Sequence, residues 1–282
     1  MREEPILTFA PIAPTQRVAP EQVAADTWVV HHAQEAFGQP LFVYLNSMVI
    51  KGAEPLILDT GTIGNRKQWL DDVFGLVEPE DVKWVYLSHD DVDHTGNLDE
   101  VMTACPNATL VCSWAIMERH TNAFNFPLER CRWINDGESF DIGDREVLAA
   151  RPPLWDSPTT RGLFDRTTGV YWGVDSFACP MAGEPMSTVE EIDPEFWPQG
   201  IAMFMYHALS PWLSLVDPVK FAAHCDQVQA LGMSTIVTAH SPIITEPSIA
   251  RAFEITRDLP NVTPPPCPDQ AVLEAVLSGM SA

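Results

Sequence analysis

Apolar residues along this chain gather in short runs separated by polar or glycine-containing turns. Residues 41–50 are strand-like, and residues 55–58 form a second short strand that ends at Asp59-Thr60-Gly61. The two predict a hairpin across 51–54. Residues 65–74 have helical spacing, 84–87 read as a buried strand, and 97–103 follow as a helix. Residues 109–112 are the next strand, after which Ser113 can cap a helix to about His120. Segments 132–134 and 139–142 flank the turn Asn135-Asp136-Gly137, and 147–150 and 170–174 are further strands. Helical patterns cover 196–209, 218–231 and 248–257, with Pro218 at a suitable first position and a strand at 235–239 between the last two. The order predicts two sheets with helices outside them.

The ends of the chain differ from this middle. Residues 1–27 are rich in Pro and polar residues and are expected to lie across the surface as an N-terminal segment. Pro264-Pro265-Pro266 opens a tail, taken as 261–282, with one short apolar stretch at 271–277. That leaves 28–260 as the expected single domain. A chain of 282 residues with 46 % hydrophobic positions is long enough for a substantial core.

Charge narrows the partners. Lys and Arg number 16 against 39 Asp and Glu, a formal charge of −23, which argues against nucleic acid and anionic membrane. No apolar run reaches the ~20 residues of a membrane span, and Met1-Arg2-Glu3-Glu4-Pro5 does not open a signal peptide. The six cysteines form no C-x-x-C pair and read as reduced, mostly buried thiols of a cytoplasmic protein.

The chemistry concentrates in Ser88-His89-Asp90-Asp91-Val92-Asp93-His94-Thr95-Gly96-Asn97, directly after the strand ending at Leu87. Two His and three Asp fall within six residues, on a loop anchored by a strand end. Imidazole with carboxylate suits zinc, iron or manganese. Candidate ligands at His89, Asp91, Asp93 and His94 are too many for one open site at this spacing and suit two metals sharing the loop.

The pattern His89-x-Asp91-x-Asp93-His94-x-Gly96 resembles the signature of the metallo-β-lactamase superfamily. Most hydrolases there carry His where this chain has Asp91. A carboxylate at that position is similar to the flavodiiron branch, whose lactamase-like domain holds two irons. Asn97-Leu98-Asp99-Glu100-Val101-Met102 and Cys105-Pro106-Asn107-Ala108 resemble the helix and turn that follow the loop in that branch. Gly173-Val174-Asp175-Ser176-Phe177 resembles its bridging-Asp segment, and Thr238-Ala239-His240-Ser241-Pro242 falls where its last His ligand stands. The resemblance spans roughly 28–260. It implies an α/β (α+β) four-layer αββα sandwich with the metals at one edge of the two sheets. It also implies one site with His89 and Asp91, a second with Asp93, His94 and His240, Asp175 bridging both, and Asp59 orienting the loop by hydrogen bonds.

One departure matters. The family's third-segment His is missing from Arg151-Pro152-Pro153-Leu154-Trp155-Asp156-Ser157-Pro158, where Leu154 occupies or neighbours its place. Asp156 replaces the imidazole, a water fills the gap, or the first metal is weak or absent; the sequence leaves these three open. His31 and His32 fall near the expected site edge, while His207 and His224 lie in helical patterns and read as surface or packing residues. Trp155, Trp172, Trp197 and Trp212 line an apolar pocket or, as aromatics at such spacings more often do, fill the core.

The resemblance implies a centre of two metal ions, iron favoured, that binds or reduces O₂, NO or peroxide, as an oxidoreductase or an oxygen sensor. No flavodoxin phosphate loop is evident, so the chain is expected to bind no flavin and to rely on a separate electron donor, with a homodimer as a further candidate assembly. The alternative is a metallo-hydrolase of an ester, lactone, thioester or phosphodiester, in which zinc or manganese activates water and Asp93 orients or deprotonates it.

Overall fold

The computed structural model describes residues 15–36, 41–120 and 127–280. Two large sheets pack face to face. One has seven strands in the order Cys131–Trp133, Thr109–Cys112, Trp84–Tyr86, Leu56–Leu58, Ser47–Ile50, Thr27–Val30 and Glu21–Ala24. The other has six: Ser139–Asp141, Glu146–Ala150, Gly162–Asp165, Val170–Trp172, Thr235–Val237 and Ile244–Thr245.

Side-chain alternation explains why so many of these strands read as continuous apolar runs. Leu56 and Leu58 enter the core between the sheets, whereas Ile57 points to the opposite face. Val85 and Tyr86 divide in the same way. In the second sheet Val170 and Trp172 face the first sheet while Tyr171 faces away. A strand buried on both faces has no polar side to show. The outer face of the seven-stranded sheet is covered by helices Arg66–Phe74, Leu98–Ala104 and Trp114–His120, which contribute Trp69, Val101 and Ile116. Helices Phe196–Phe204, Pro218–Gln229 and Ser248–Asp258 cover the other sheet with Ile201, Phe221 and Phe253. The layers are therefore helix, sheet, sheet, helix.

The sequence-based elements differ from this architecture in several places. Residues 41–50 are two strands, not one. The break comes after Leu45, whose amide still donates to the His32 carbonyl, at Asn46, whose amide turns away to the Ala239 carbonyl. The first half, Leu41–Tyr44, joins Thr15–Arg17, His32–Glu35 and Met181–Ala182 in a small third sheet that the two-sheet expectation lacked. Of the expected surface segment 1–27, residues 1–14 lie outside the described residues, and the rest carries two partly exposed edge strands, Thr15–Arg17 and Glu21–Ala24, that the sequence did not predict. Gly162–Asp165 was not read as a strand at all; Gly162 sits so close to the Trp172 and Ala150 carbonyls that a Cβ would meet them at 2.6 and 2.7 Å. The apolar stretch in the tail lies within a helix, Gln270–Met280.

Four strands of the larger sheet, 56–58, 84–86, 109–112 and 131–133, run parallel, as do Val170–Trp172 and Thr235–Val237 in the other. Parallel strands put their carboxyl ends on one edge, and loops from both sheets open there. No helix among the described residues is long and apolar enough to cross a membrane.

Candidate metal centre

Each predicted site residue follows the end of a strand on that shared edge. Asp59 follows Leu56–Leu58, the His89 loop follows Trp84–Tyr86, Asp156 lies beyond Glu146–Ala150, Asp175 lies beyond Val170–Trp172 and His240 beyond Thr235–Val237. Within the loop, Asp93 and His94 sit on a one-turn helix, Val92–Thr95. Gly96 closes it because backbone crowds in from three sides: a Cβ there would lie 2.7 Å from the Gly61 carbonyl, the Ile63 amide and the Val92 carbonyl. These atoms belong to main chain and cannot swing away. Gly96→Ala is expected to cost at least about 2 kcal/mol by overpacking, read as a lower thermal midpoint with loss of metal uptake.

Backbone strain marks the same edge. Val174, directly before Asp175, has φ of 54°, a conformation β-branched residues seldom adopt, and Asp59 has φ of 59°. Such strain persists only where the surroundings over-determine it. Here the Ala239 amide donates to the Val174 carbonyl at 2.7 Å, and the Asp59 amide donates to the Tyr86 carbonyl at 2.9 Å.

The side chains converge into two main groups of donors, with a third, His89, Asp90 and Asp91, sharing His89. Asp93, His94 and His240 form one main group; His89, Asp156 and Asp175 form the other. Asp175 lies between them. Its Oδ1 is 3.1 Å from His94 Nε2 and 3.3 Å from His240 Nε2, while its Oδ2 is 4.0 Å from His89 Nε2. Asp93 Oδ2 is 3.3 Å from His240 Nε2. Asp91 and Asp156 approach His89 Nε2 to 3.3 and 3.4 Å. Asp156 thus lies beside His89, whereas Leu154 turns into the helix-side core with its backbone clasped by the Ser176 hydroxyl.

The far nitrogen of each imidazole is held by an acceptor. His94 Nδ1 donates to Asp59 Oδ2 at 2.9 Å, and His240 Nδ1 donates to the Tyr44 carbonyl at 2.7 Å. His89 Nδ1 faces the hydroxyls of Thr160 and Thr159 at 3.1 and 3.3 Å. The acceptors behind His94 and His240 place a proton on Nδ1 and so turn Nε2 toward the cluster, while the two hydroxyls behind His89 hold its ring in the same orientation. Fixing the tautomer from behind is how proteins prepare histidines for metal. The Nε2 atoms of His89 and His94 and Oδ1 of Asp175 are buried without a hydrogen-bond partner. Buried polar atoms left unsatisfied are costly, and a pair of divalent cations in this N and O donor set would satisfy all of them. The residues present fit such a group.

The electrostatics point the same way. Burial disfavours a charged His89, yet the nearby carboxylates of Asp156, Asp91 and Asp175 raise its pKa to about 10. Against the same burial, Asp175 and Asp93 hold His94 well above its usual range, and Asp175 raises His240. Burial works against ionised Asp175 too, but His94 and His240 keep its carboxyl well below the ordinary value. The pocket demands positive charge, supplied by protons in the metal-free chain. His89 bears on the pH dependence: a folded pKa of about 10 against about 6.5 unfolded contributes stability fully present below the unfolded value and lost as pH rises through the folded one. The thermal midpoint of metal-free protein is expected to fall between pH 6.5 and 10 by this linkage, and that of metal-loaded protein to vary less.

Several supporting residues left no signal in the sequence. Asp90, inside the loop, turns behind His89 and accepts from Arg119 at 2.9 Å and Thr159 at 2.7 Å. Ser88 donates to Asp59 through both amide and hydroxyl. His31 binds Asn46 Oδ1 at 2.9 Å, and Asn46 in turn donates to the Thr238 and Ser241 carbonyls flanking His240. His32 lies against Asp72 at 3.7 Å, away from the cluster, with burial lowering its pKa to about 4. His207 and His224 bind the Pro265 and Pro152 carbonyls. The tryptophans form no single pocket: Trp172 and Trp197 fill different cores, and Trp155 packs on Trp212. Among the described residues no cysteine joins a candidate metal group.

Known proteins carry the same framework. Rubredoxin oxygen:oxidoreductase from Desulfovibrio gigas superposes with a TM-score of 0.74 at 14 % identity, over 85 % of this chain and 61 % of that one. The flavodiiron protein from Giardia intestinalis gives 0.71 at 16 % identity, over 87 % and 60 %. Putative diflavin flavoprotein A 1 of Nostoc sp. is 25 % identical over 206 residues, 71 % of this chain and 33 % of its own length. The anaerobic nitric oxide reductase flavorubredoxin of Pectobacterium atrosepticum is 20 % identical over 201 residues, 70 % of this chain and 38 % of its own. The chain thus spans a third or a little more of those two curated relatives. A model described as ODP family beta lactamase matches residues 43–240, and with the four-layer sandwich seen here it assigns the chain to that family.

Proposed function

We propose that this chain holds two metal ions, iron in the native protein, and uses them to bind and reduce a small oxidant, O₂ or NO. The observation that carries the reading is Asp175, whose two oxygens face separate donor groups while its buried Oδ1 lacks a hydrogen-bond partner. In this reading His89, Asp91 and Asp156 hold one ion, Asp93, His94 and His240 the other, and Asp175 bridges. Bound there, iron would supply redox electrons and open coordination positions for a diatomic ligand. Four carboxylates balance the charge of two divalent ions. Asp59, Tyr44, Thr159 and Thr160 hold the imidazoles in orientation, and the close burial of His89 and His94 keeps bulk water from their ring nitrogens.

Reduction of O₂ or NO at such a centre requires a supply of electrons to the irons. The relatives named as reductases favour iron and reduction over the hydrolytic alternative.

The test is metal identity and stoichiometry in protein purified anaerobically. About two irons per chain, with a visible band that changes on adding O₂ or NO, is the expected result. Zinc with a colourless solution, or no stoichiometric metal, would overturn it. Asp156→Ala is expected to lower occupancy toward one iron while leaving the second group loaded. Full occupancy with an unchanged spectrum would remove Asp156 from the ligand set.

A further inference from the structure

A cavity of about 600 Å³ lies beside the cluster, within the range of small-molecule sites. One wall is the strand Leu41–Tyr44, through Leu41 and Val43. The second is the end of helix Phe196–Phe204 and its continuation as one turn of π-helix, Met205–Leu209. The third is the C-terminal segment from Pro266 to Val272. That segment is moored at its start, where His207 Nε2 meets the Pro265 carbonyl at 3.2 Å and the Tyr206 hydroxyl donates to the Leu259 carbonyl at 2.7 Å. π-Helical turns recur at functional sites because they trade regular hydrogen bonding for a local change of shape.

The lining defines the chemistry of an occupant. Among the described residues no Lys or Arg contributes to it, so none of them would neutralise an anion. The one carboxylate among those lining residues, Asp269, already accepts from the Ala271 and Val272 amides at the start of the last helix. The His207 ring is engaged with Pro265. The remaining surface is apolar and presents flat faces, from Phe204 and from Pro180, Pro266 and Pro268. An uncharged molecule with a flat apolar body matches this surface.

The cavity also touches the cluster. Phe204 lines it, and the Phe204 ring lies 5.1 Å from the His240 ring, centroid to centroid. Pro180 lines it as well, directly after Cys179, whose amide donates to the His240 carbonyl at 3.2 Å. A single side chain therefore separates the cavity from an imidazole of the metal centre.

We propose that this cavity is a binding site for an uncharged small molecule with a flat apolar body, in contact with the metal centre through Phe204. The cavity stands on its own geometry; the communication with the centre rests on the dinuclear reading above. The probe is N-phenyl-1-naphthylamine, neutral and fluorescent in apolar surroundings. Saturable binding of one probe per chain is expected in both metal-free and iron-loaded protein. Val43→Trp and Val272→Trp fill the cavity from opposite walls. Each is expected to weaken the probe by at least about tenfold, with thermal midpoint and iron content unchanged. Two variants on separate elements guard against one failing to fold. Saturating probe is also expected to shift the visible band of the iron-loaded protein. Absence of saturable binding, or equal binding by both variants and the parent, would overturn the site. Binding without any spectral shift would overturn the contact through Phe204. Protein that takes up probe but no iron would refute the dinuclear reading and leave the site standing.

Discussion

Asp175→Asn is expected to empty both halves of the metal centre, lowering affinity by more than about a hundredfold, the upper end of what loss of an outer-shell partner costs. The substitution preserves shape but exchanges one oxygen for an NH₂ group that cannot ligate a cation. Whichever way the amide turns, a donor N–H faces either His89 or the pair His94 and His240, because the carboxylate now spans both. The site also loses one negative charge among cations it was built to hold. In metal-free protein the same change removes the carboxylate beside His94 and His240, and breaking a buried charge pair costs about 3–5 kcal/mol. The variant should therefore melt lower even with chelator present. Elemental analysis after dialysis against a stated iron concentration reads the first effect, and a melting curve with chelator reads the second. Two irons retained at the parental affinity would remove Asp175 from the bridging position.

Asp59→Asn is the second large effect, and it acts from a distance. Asp59 is fully buried and accepts three hydrogen bonds, from the Ser88 amide at 2.8 Å, the Ser88 hydroxyl and His94 Nδ1 at 2.9 Å. Asparagine tolerates the positive φ at this position, so the backbone turn survives. Its amide offers one oxygen where three donors compete, and its NH₂ confronts the Ser88 hydroxyl or His94 N–H. The His94 ring loses its anchor and the preference for a proton on Nδ1. A competitive chelator titration is expected to give a 10–100-fold weaker metal site, with donor residues unchanged. Asp59→Ala should be worse, because alanine at φ of 59° adds strain to the loss of all three hydrogen bonds. If Asp59→Asn bound metal as the parent does, the orientation of His94 would have to come from packing alone.

Sequence and tertiary structure divided the work along physical lines. The loop from His89 to Gly96 was legible because its donors are adjacent in the chain and follow an apolar strand, so spacing alone placed them together. The buried strands were legible as apolar runs, and the helices of 65–74, 218–231 and 248–257 from their period, the second also from Pro218 at its first position. Asp175 and His240 came only through resemblance, since nothing local distinguishes an Asp or a His at a strand end from a turn residue. The edge strands Thr15–Arg17 and Glu21–Ala24 were missed because polar residues tolerate a sheet edge and leave no alternating apolar pattern to read; the interior strands Thr27–Val30 and His32–Glu35 were missed as well. Whether Asp156 enters the centre was undecided in the sequence. It depends on how the chain beyond residue 150 crosses toward His89, which is a property of the packed sheets. The same holds for Tyr44, whose carbonyl holds His240 across 196 positions. Any residue can supply a carbonyl, so no side-chain pattern encodes it. What the linear sequence determined were the donors it places side by side and the strand that carries them. What the tertiary structure decided was which distant groups stand behind those donors, because backbone acceptors and crossing loops acquire a partner only when two sheets close on each other.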